Sequence, residues 1–375
     1  MFSSAMKTNF TEYKYREVFL YFLRLGFVGF GGPLALIGMM QKDLVETRGW
    51  MPIEEFHQAF AMIKAMPGPV AFQTAVFLGR RRAGLWGGLI AAVMLNLPAF
   101  LLMVLFGYYY QAYENLKSAQ SFLSGMQASA LVMVLVGMKS FFLPYYKRFS
   151  YWMLLIVGAV VFFKDWLPEP VLIIGGASVW AISKHFKYRS SALPAFAFVL
   201  EPKLFELMGV CAKAGAFVFG TGLAIVPMLE KGVVENLHWM THSQFMDALA
   251  MGQITPGPVV ITATFIGFKT LGLVGAVVST VAIFAPSFFH IMTWFPSALN
   301  FLSRQKWITD FVFAATSVIV GTLIVTTVKM MTPWQSTPWC FVIFAIGFLV
   351  AVKTKIPSWV LIPAGGFAGL LFGLL

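Results

Sequence analysis

Arg24, Lys64 and Lys213 each stand inside apolar or weakly polar stretches, where a charge is costly and marks a candidate functional site. With no intramembrane carboxylate expected beside them, cations in such places suit an anionic ligand. Arg24 and Lys213 occupy matching positions 189 residues apart. Lys139 and Lys329 recur 190 residues apart near the ends of apolar stretches, where a long side chain can snorkel to the interface without any function. Arg24 and Lys213 lie about two turns into their stretches, so snorkelling stays open for them as well.

Two glycine-rich turns, Gly29-Phe30-Gly31-Gly32-Pro33 and Phe219-Gly220-Thr221-Gly222, can break the apolar helices that contain them. Backbone N–H groups at such a break carry partial positive charge and favour an anion. Close helix packing through small residues is the alternative use of the same glycines. Pro67-Gly68-Pro69 and Pro256-Gly257-Pro258 remove backbone donors and forbid a continuous helix, so each is read as a re-entrant or broken segment. Gln73, Gln253, Thr255, Asn96, Thr262 and Thr264 fall in or beside these interruptions, and their amides and hydroxyls can replace water around an oxyanion. Each could equally bond to a neighbouring backbone. The candidate substrate-binding set is Arg24, Gly31, Gly32, Lys64, Pro67, Gly68, Pro69, Gln73, Lys213, Gly220, Thr221, Gly222, Gln253, Thr255, Pro256, Gly257 and Pro258.

Other chemistry finds no support. His57, His242 and His290 have no ligand spacing, and Cys211 and Cys340 lie in apolar stretches, so neither a metal nor a cofactor is expected. There is no nucleotide loop, no clustered carboxylate pair and no paired nucleophile and base, which argues against an enzyme. Trp50, Trp239 and Trp294 fit an interfacial belt.

The elements that position these residues must be membrane helices. The 375 residues are 59% hydrophobic and 11% charged, with mean hydropathy +0.80, and continuous apolar runs such as Leu85 to Tyr110 exclude both a soluble globule and an alternating-polarity barrel. The class is an all-α polytopic membrane protein, and the +12 net charge reads as loop charge that sets orientation rather than as a nucleic-acid surface. The start, with Lys7, Lys14 and Arg16, has no cleavable apolar core, so no removable signal peptide is expected.

The chain is duplicated. Arg24 to Pro69 aligns without a gap on Lys213 to Pro258, with 18 identities in 46 positions, and Gly84, Gly87 and Pro98 then meet Gly272, Gly275 and Pro286. Two homologous membrane repeats follow, 1–190 and 204–375, each expected to be a folding unit. If the Pro-Gly-Pro segments do not cross, each half makes five crossings, about ten in all, and the halves are inverted. With Arg80-Arg81-Arg82 in the cytoplasm, Lys42, Arg48, Lys147, Arg148, Lys184, Lys187, Arg189, Arg304, Lys306, Lys353 and Lys355 share that side. Glu114, Asp165, Glu169, Glu230 and Glu235 face the other. The N-terminus would then lie outside against its own charge. Twelve crossings with parallel halves would correct that but expel the second half's basic loops. Inverted repeats with interrupted helices in corresponding positions are a plan of secondary transporters.

The run from Leu25-Gly26 through Phe30-Gly31-Gly32-Pro33, Trp50 and Pro67-Gly68-Pro69 to Gln73 resembles the chromate ion transporter family. The stretch from Phe219-Gly220 through Trp239 to Gly252-Gln253-Ile254-Thr255-Pro256-Gly257-Pro258 resembles its C-terminal repeat, so the likeness is to a long, two-domain member. The resemblance implies a multi-pass transporter of the cell (inner or plasma) membrane that exports chromate, with sulfate as a similar oxyanion. Leu36, Lys64 and Thr221 depart from the family pattern around the supposed site, which bears on the substrate rather than the fold. Partners expected are a small inorganic oxyanion and the bilayer, with a homodimer left open and no nucleic acid. The alternatives carried are a channel or exchanger for another anion and a membrane-embedded enzyme or assembly factor.

Overall fold

The structure, a computed structural model, describes residues 2–167, 169–185, 202–218, 222–302, 305–354 and 356–373, and these form helices and turns with no strand among them. In the first half α1 (Phe2–Val28) is followed by α2 (Gly32–Met40), which continues as a wider π turn over Gln41–Thr47, and then by α3 (Ile53–Ala65), α4 (Val70–Tyr113), α5 (Lys117–Phe142), α6 (Phe149–Phe163) and α7 (Glu169–His185). The second half repeats the order with α8 (Pro202–Phe217), α9 (Ile225–Glu230) and its π turn Lys231–Asn236, α10 (His242–Ile254) and α11 (Thr262–Met292). It closes with a short α12 (Phe295–Leu302), then α13 (Lys306–Met330), α14 (Trp339–Lys353) and α15 (Ser358–Gly373). The expected breaks at Phe219, Gly220 and Thr221, and the loop charges Lys187, Arg189, Arg304 and Lys355, lie outside the described residues.

Both long helices reverse at matching positions. Ala83 and Gly84 take φ/ψ of −139/28° and 66/−155°, and Leu271 and Gly272 take −139/25° and 60/−149°. Positive φ with ψ near 180° is open essentially to glycine alone, so Gly84 and Gly272 are required there. Beyond each reversal the chain packs on itself: Gly79 lies against the backbone of Gly87, and Gly267 against that of Gly275. In a straight helix residues eight apart would be about 12 Å distant. α4 is therefore a short arm ending near Arg82 and a long arm from Gly84 to Tyr113, and α11 has the same plan.

The first helix of each half, expected to cross, folds back instead. After the break at Gly29 and Phe30 the chain returns along α1, so that the Tyr21 hydroxyl donates to Met39 O and to Asp43 at 3.3 Å each, and Arg48 pairs with Glu17 at 3.2 Å. In the second half Val210 on α8 lies against Gly232 in the same manner. Each half thus has two helical hairpins, the first joining α1 to α2 or α8 to α9 and the second turning at Pro-Gly-Pro. Among the described residues four helices are long and apolar enough to cross a bilayer (Val70–Tyr113, Lys117–Lys139, Val259–Met292 and Trp307–Ser336), and four shorter ones are apolar.

The long arms of α4 and α11 pack antiparallel. Gly88, near the start of one, touches Met292 at the end of the other, and Gly107, near the end of the first, touches Phe268 at the base of the second hairpin. The closing helices are exchanged between halves: α14 and α15 pack on α5, and α6 and α7 pack on α13. Gly125 against Gly365 and Gly321 against Leu155 let these backbones approach closely.

Candidate functional site

The hairpin tips meet in reciprocal pairs. Gly68 N–H of the first Pro-Gly-Pro donates to Val218 O at the break of α8, at 2.5 Å, and Gly257 N–H of the second donates to Gly29 O at the break of α1, at 3.0 Å. The flanking prolines have no N–H to give. These two tips therefore join the repeats to each other, and the Gly68 and Gly257 N–H groups are occupied in that joint.

A cavity of about 420 Å³ opens beside it. Gly31, Gly32 and Pro33 at the start of α2 line it, with Leu223, Gln253 and the α14–α15 turn at Thr354. Gly31 and Gly32 hold φ of 103° and 80°, the left-handed values that turn the chain into α2. The first N–H groups of a helix have no partner within it, and they carry the positive end of its dipole. Gln253 is buried, its Nε2 at 3.4 Å from Ala130 O of α5, and its backbone O accepts from Ser358 Oγ at 2.9 Å. The structure thus brings Gly31, Gly32 and Gln253, from different repeats, to one cavity. Gly222, at φ 85°, follows the second break.

Gln73 is fully buried behind the first tip, its Nε2 donating to Pro67 O at 2.7 Å while Oε1 has no partner. Ser287 Oγ, also buried and unpartnered, flanks Gly68. Thr255, Thr262 and Asn96 hydrogen-bond their own helices at Gly252 O, Val259 O and Ala92 O, and Thr264 bonds Thr280. Arg24, Lys64 and Lys213 are exposed, and none lines this cavity. Lys64 borders a separate groove of about 270 Å³ between α3, Tyr145 and the start of α13.

Both ends of the molecule are latched. At one, Glu17 receives Arg82 at 2.6 Å, Arg48 and the Trp50 indole, Arg81 pairs with Glu55 at 2.9 Å, and Arg80 Nη1 donates to Ile291 O and Met292 O at the end of α11, at 2.8 and 2.6 Å. At the other, Lys269 pairs with Glu114 at 2.8 Å, Lys231 with Asp165, and Lys329 with Glu235 at 3.0 Å. Burial, with the Glu235 charge beside it, pushes Glu230 up to about 7. Burial also lowers the pKa of its neighbour His242.

Sequence reading missed Asp247. This carboxylate on α10 is buried between Tyr110 Oη at 2.7 Å and Gln127 Nε2 at 2.8 Å. The available signal was one acid where the aligned position of the first repeat is Gln58.

The family described as Chromate transporter matches residues 16–181 and again 205–370. A chromate transport protein of Cupriavidus metallidurans is 34% identical over 83% of this chain and 81% of its own length. A probable chromate transport protein of Synechococcus elongatus is 32% identical over 96% of both. An uncharacterized transporter of Methanocaldococcus jannaschii is 28% identical over 90% of this chain and 89% of its own. No solved structure matches the chain.

Proposed function

The chain belongs to the chromate transporter family, a multi-pass membrane transporter, and from that premise we propose that it exports chromate, or the similar dianion sulfate, by alternating access. One observation carries this reading: the N-terminal turn of α2 and Gln253 of the other repeat line a single cavity beside the joint between the repeats. A tetrahedral dianion bound there accepts hydrogen bonds from the Gly31–Gly32 backbone and the Gln253 amide. The repeats face opposite ways across the cell (inner or plasma) membrane, supported by the antiparallel α4 and α11 arms and by hairpin bases at opposite ends of the α4 arm. Movement of one hairpin pair against the other opens first the Arg82–Glu17 end and then the Lys269–Glu114 end. The exposed cations Arg24, Lys64 and Lys213 attract the anion rather than coordinate it.

Purified protein in proteoliposomes is expected to take up labelled chromate, with competition by sulfate exceeding that by phosphate or carboxylates. Gln253→Leu should weaken apparent chromate affinity by about tenfold, the cost of one lost hydrogen bond to a charge. Wild-type rates equal to empty liposomes, or unchanged affinity in Gln253→Leu, would sink the reading.

A further inference from the structure

Of the two carboxylates fully buried among the described residues, Glu230 lies 3.3 Å from His242 Nε2, whereas the hydrogen-bond partners of Asp247 are both neutral. A carboxylate in such a place must be anchored by donors or hold a proton. Tyr110 donates to Oδ2 and Gln127 to Oδ1, which satisfies the anion. The hydroxyl of Tyr110 can also accept, so a protonated Asp247 can donate to it with no heavy atom displaced. Both protonation states fit the same site.

A partly exposed ion pair lies beside this site. Glu114 and Lys269 bond each other at 3.0 and 2.8 Å, with side chains 21% and 13% exposed, and the Lys269 ammonium lies 4.9 Å from the centre of the Tyr110 ring. These are the charged groups facing Asp247 from α11 and the end of α4. α5 presents the neutral Gln127 there, and α15 carries no titratable residue. α9 contributes Glu230, which faces His242 at the start of α10.

The same helix carries Asp247 and Gln253, and both touch one stretch of α5, at Gln127 and Ala130. An ionised Asp247 holds α10 on α5 and α4 through charge-assisted bonds, and a neutral one holds it less strongly. Gln253, at the cavity, then moves with the hairpin. In the first repeat the matching residue, Gln58, is exposed and cannot titrate, so the two repeats differ in this respect.

We propose that Asp247 is a proton-binding site whose charge state sets the docking of the α10 hairpin, coupling oxyanion movement to movement of one proton. The step is a proton from water adding to a carboxylate oxygen and leaving again, with no redox partner. It rests on the transporter reading above, and two measurements separate the failures.

The first is infrared titration of the purified protein across about pH 5 to 9. With Glu230→Gln as background, so that the other buried carboxyl contributes nothing, the protein should show a protonated-carboxyl C=O band that titrates, Asp247→Asn should remove it, and Tyr110→Phe should shift its midpoint upward by removing a donor to the anion. This needs neither substrate nor a variant that transports, and the Tyr110→Phe shift stands in if Asp247→Asn does not fold. A band unchanged in Asp247→Asn or in Tyr110→Phe overturns the proposal. The second is chromate flux in proteoliposomes. A pH difference of one unit multiplies the chromate concentration ratio attainable per coupled proton by about ten. Wild-type accumulation should follow it, whereas Asp247→Asn should keep chromate exchange at equal pH and lose the gradient response, with Asp247→Glu restoring it. A full gradient response in Asp247→Asn overturns the proposal. Absent wild-type flux with the titrating band present sinks the transporter reading and leaves the proton site standing.

Discussion

Gly68 and Gly257 occupy the same position in the two Pro-Gly-Pro tips, yet they are not equally replaceable. Both have left-handed φ, 132° and 100°, so alanine strains either by about 1–2 kcal/mol. A Cβ on Gly257 would find its nearest neighbours, Ala99 Cβ and Leu95 O, at 3.9 Å. On Gly68 it would overlap the Gln73 amide and the Ser287 hydroxyl, adding an overpacking cost of about 1–3 kcal/mol. Gly68→Ala is therefore expected to lower thermal stability in detergent more than Gly257→Ala, and equal losses would refute this packing. Glu230 supplies a pH dependence. Raised by burial from its ordinary 4.5 to about 7, it keeps its proton folded where the unfolded chain has lost it, so its contribution is complete below about 4.5 and vanishes as pH rises through about 7. Stability should fall across that window by about 3 kcal/mol. His242, lowered by burial, works in the opposite direction, because the unfolded chain binds the extra proton. In Glu230→Gln the melting temperature should rise rather than fall between pH 5 and 7; retention of the wild-type slope would remove Glu230 as its source.

Arg80 acts at the scale of the element. Its guanidinium caps the C-terminal carbonyls of Ile291 and Met292, where α11 has no further N–H of its own to offer. Arg80→Gln should cost about 1–3 kcal/mol by leaving these acceptors unpaired. Arg81→Gln, which loses only an exposed pair with Glu55, should stay within about 0.5 kcal/mol. Comparable melting temperatures for the two variants would show that the cap is dispensable. Much of the element plan was legible in the residues: the prolines announced both tips, and the glycines announced the break between α1 and α2. The reversals at Gly84 and Gly272 were not, because each sits in an apolar run whose composition suits one long helix, and only the φ/ψ of a single glycine ends it. The return of α2 along α1 was hidden for a similar reason, since a broken helix and a folded-back one share the same glycines. Site legibility divides along the same line. Gly31, Gly32 and Gln253 sit at interruptions and could be named, whereas Asp247 is an isolated acid whose role depends on Tyr110 and Gln127, 137 and 120 residues away.

At the scale of the whole molecule, folding back changes which side the chain begins on. Five crossings in the first half placed the N-terminus opposite the Arg80-Arg81-Arg82 cluster, against the charge of Lys7, Lys14 and Arg16. With α1 and α2 a hairpin, Glu17 instead pairs with Arg82 and Arg48, so the beginning of the chain shares the side of that cluster and the conflict of charge disappears. Asp165, joined to Lys231, lies at the opposite end of the long arms, with Lys269 and Glu114. A membrane-impermeant maleimide can distinguish these sides, because both native cysteines, Cys211 and Cys340, are buried and supply little background. Trp166→Cys, at an exposed position beside Asp165, should label in intact cells. Glu54→Cys, next to the Glu55 that pairs with Arg81, should label only after the membrane is opened, as should a cysteine placed at residue 1. Labelling of residue 1 in intact cells, with Glu54→Cys protected, would restore the crossing first helix and overturn the folded-back arrangement. Labelling of Trp166→Cys and Glu54→Cys from the same side would instead remove the inversion of the repeats.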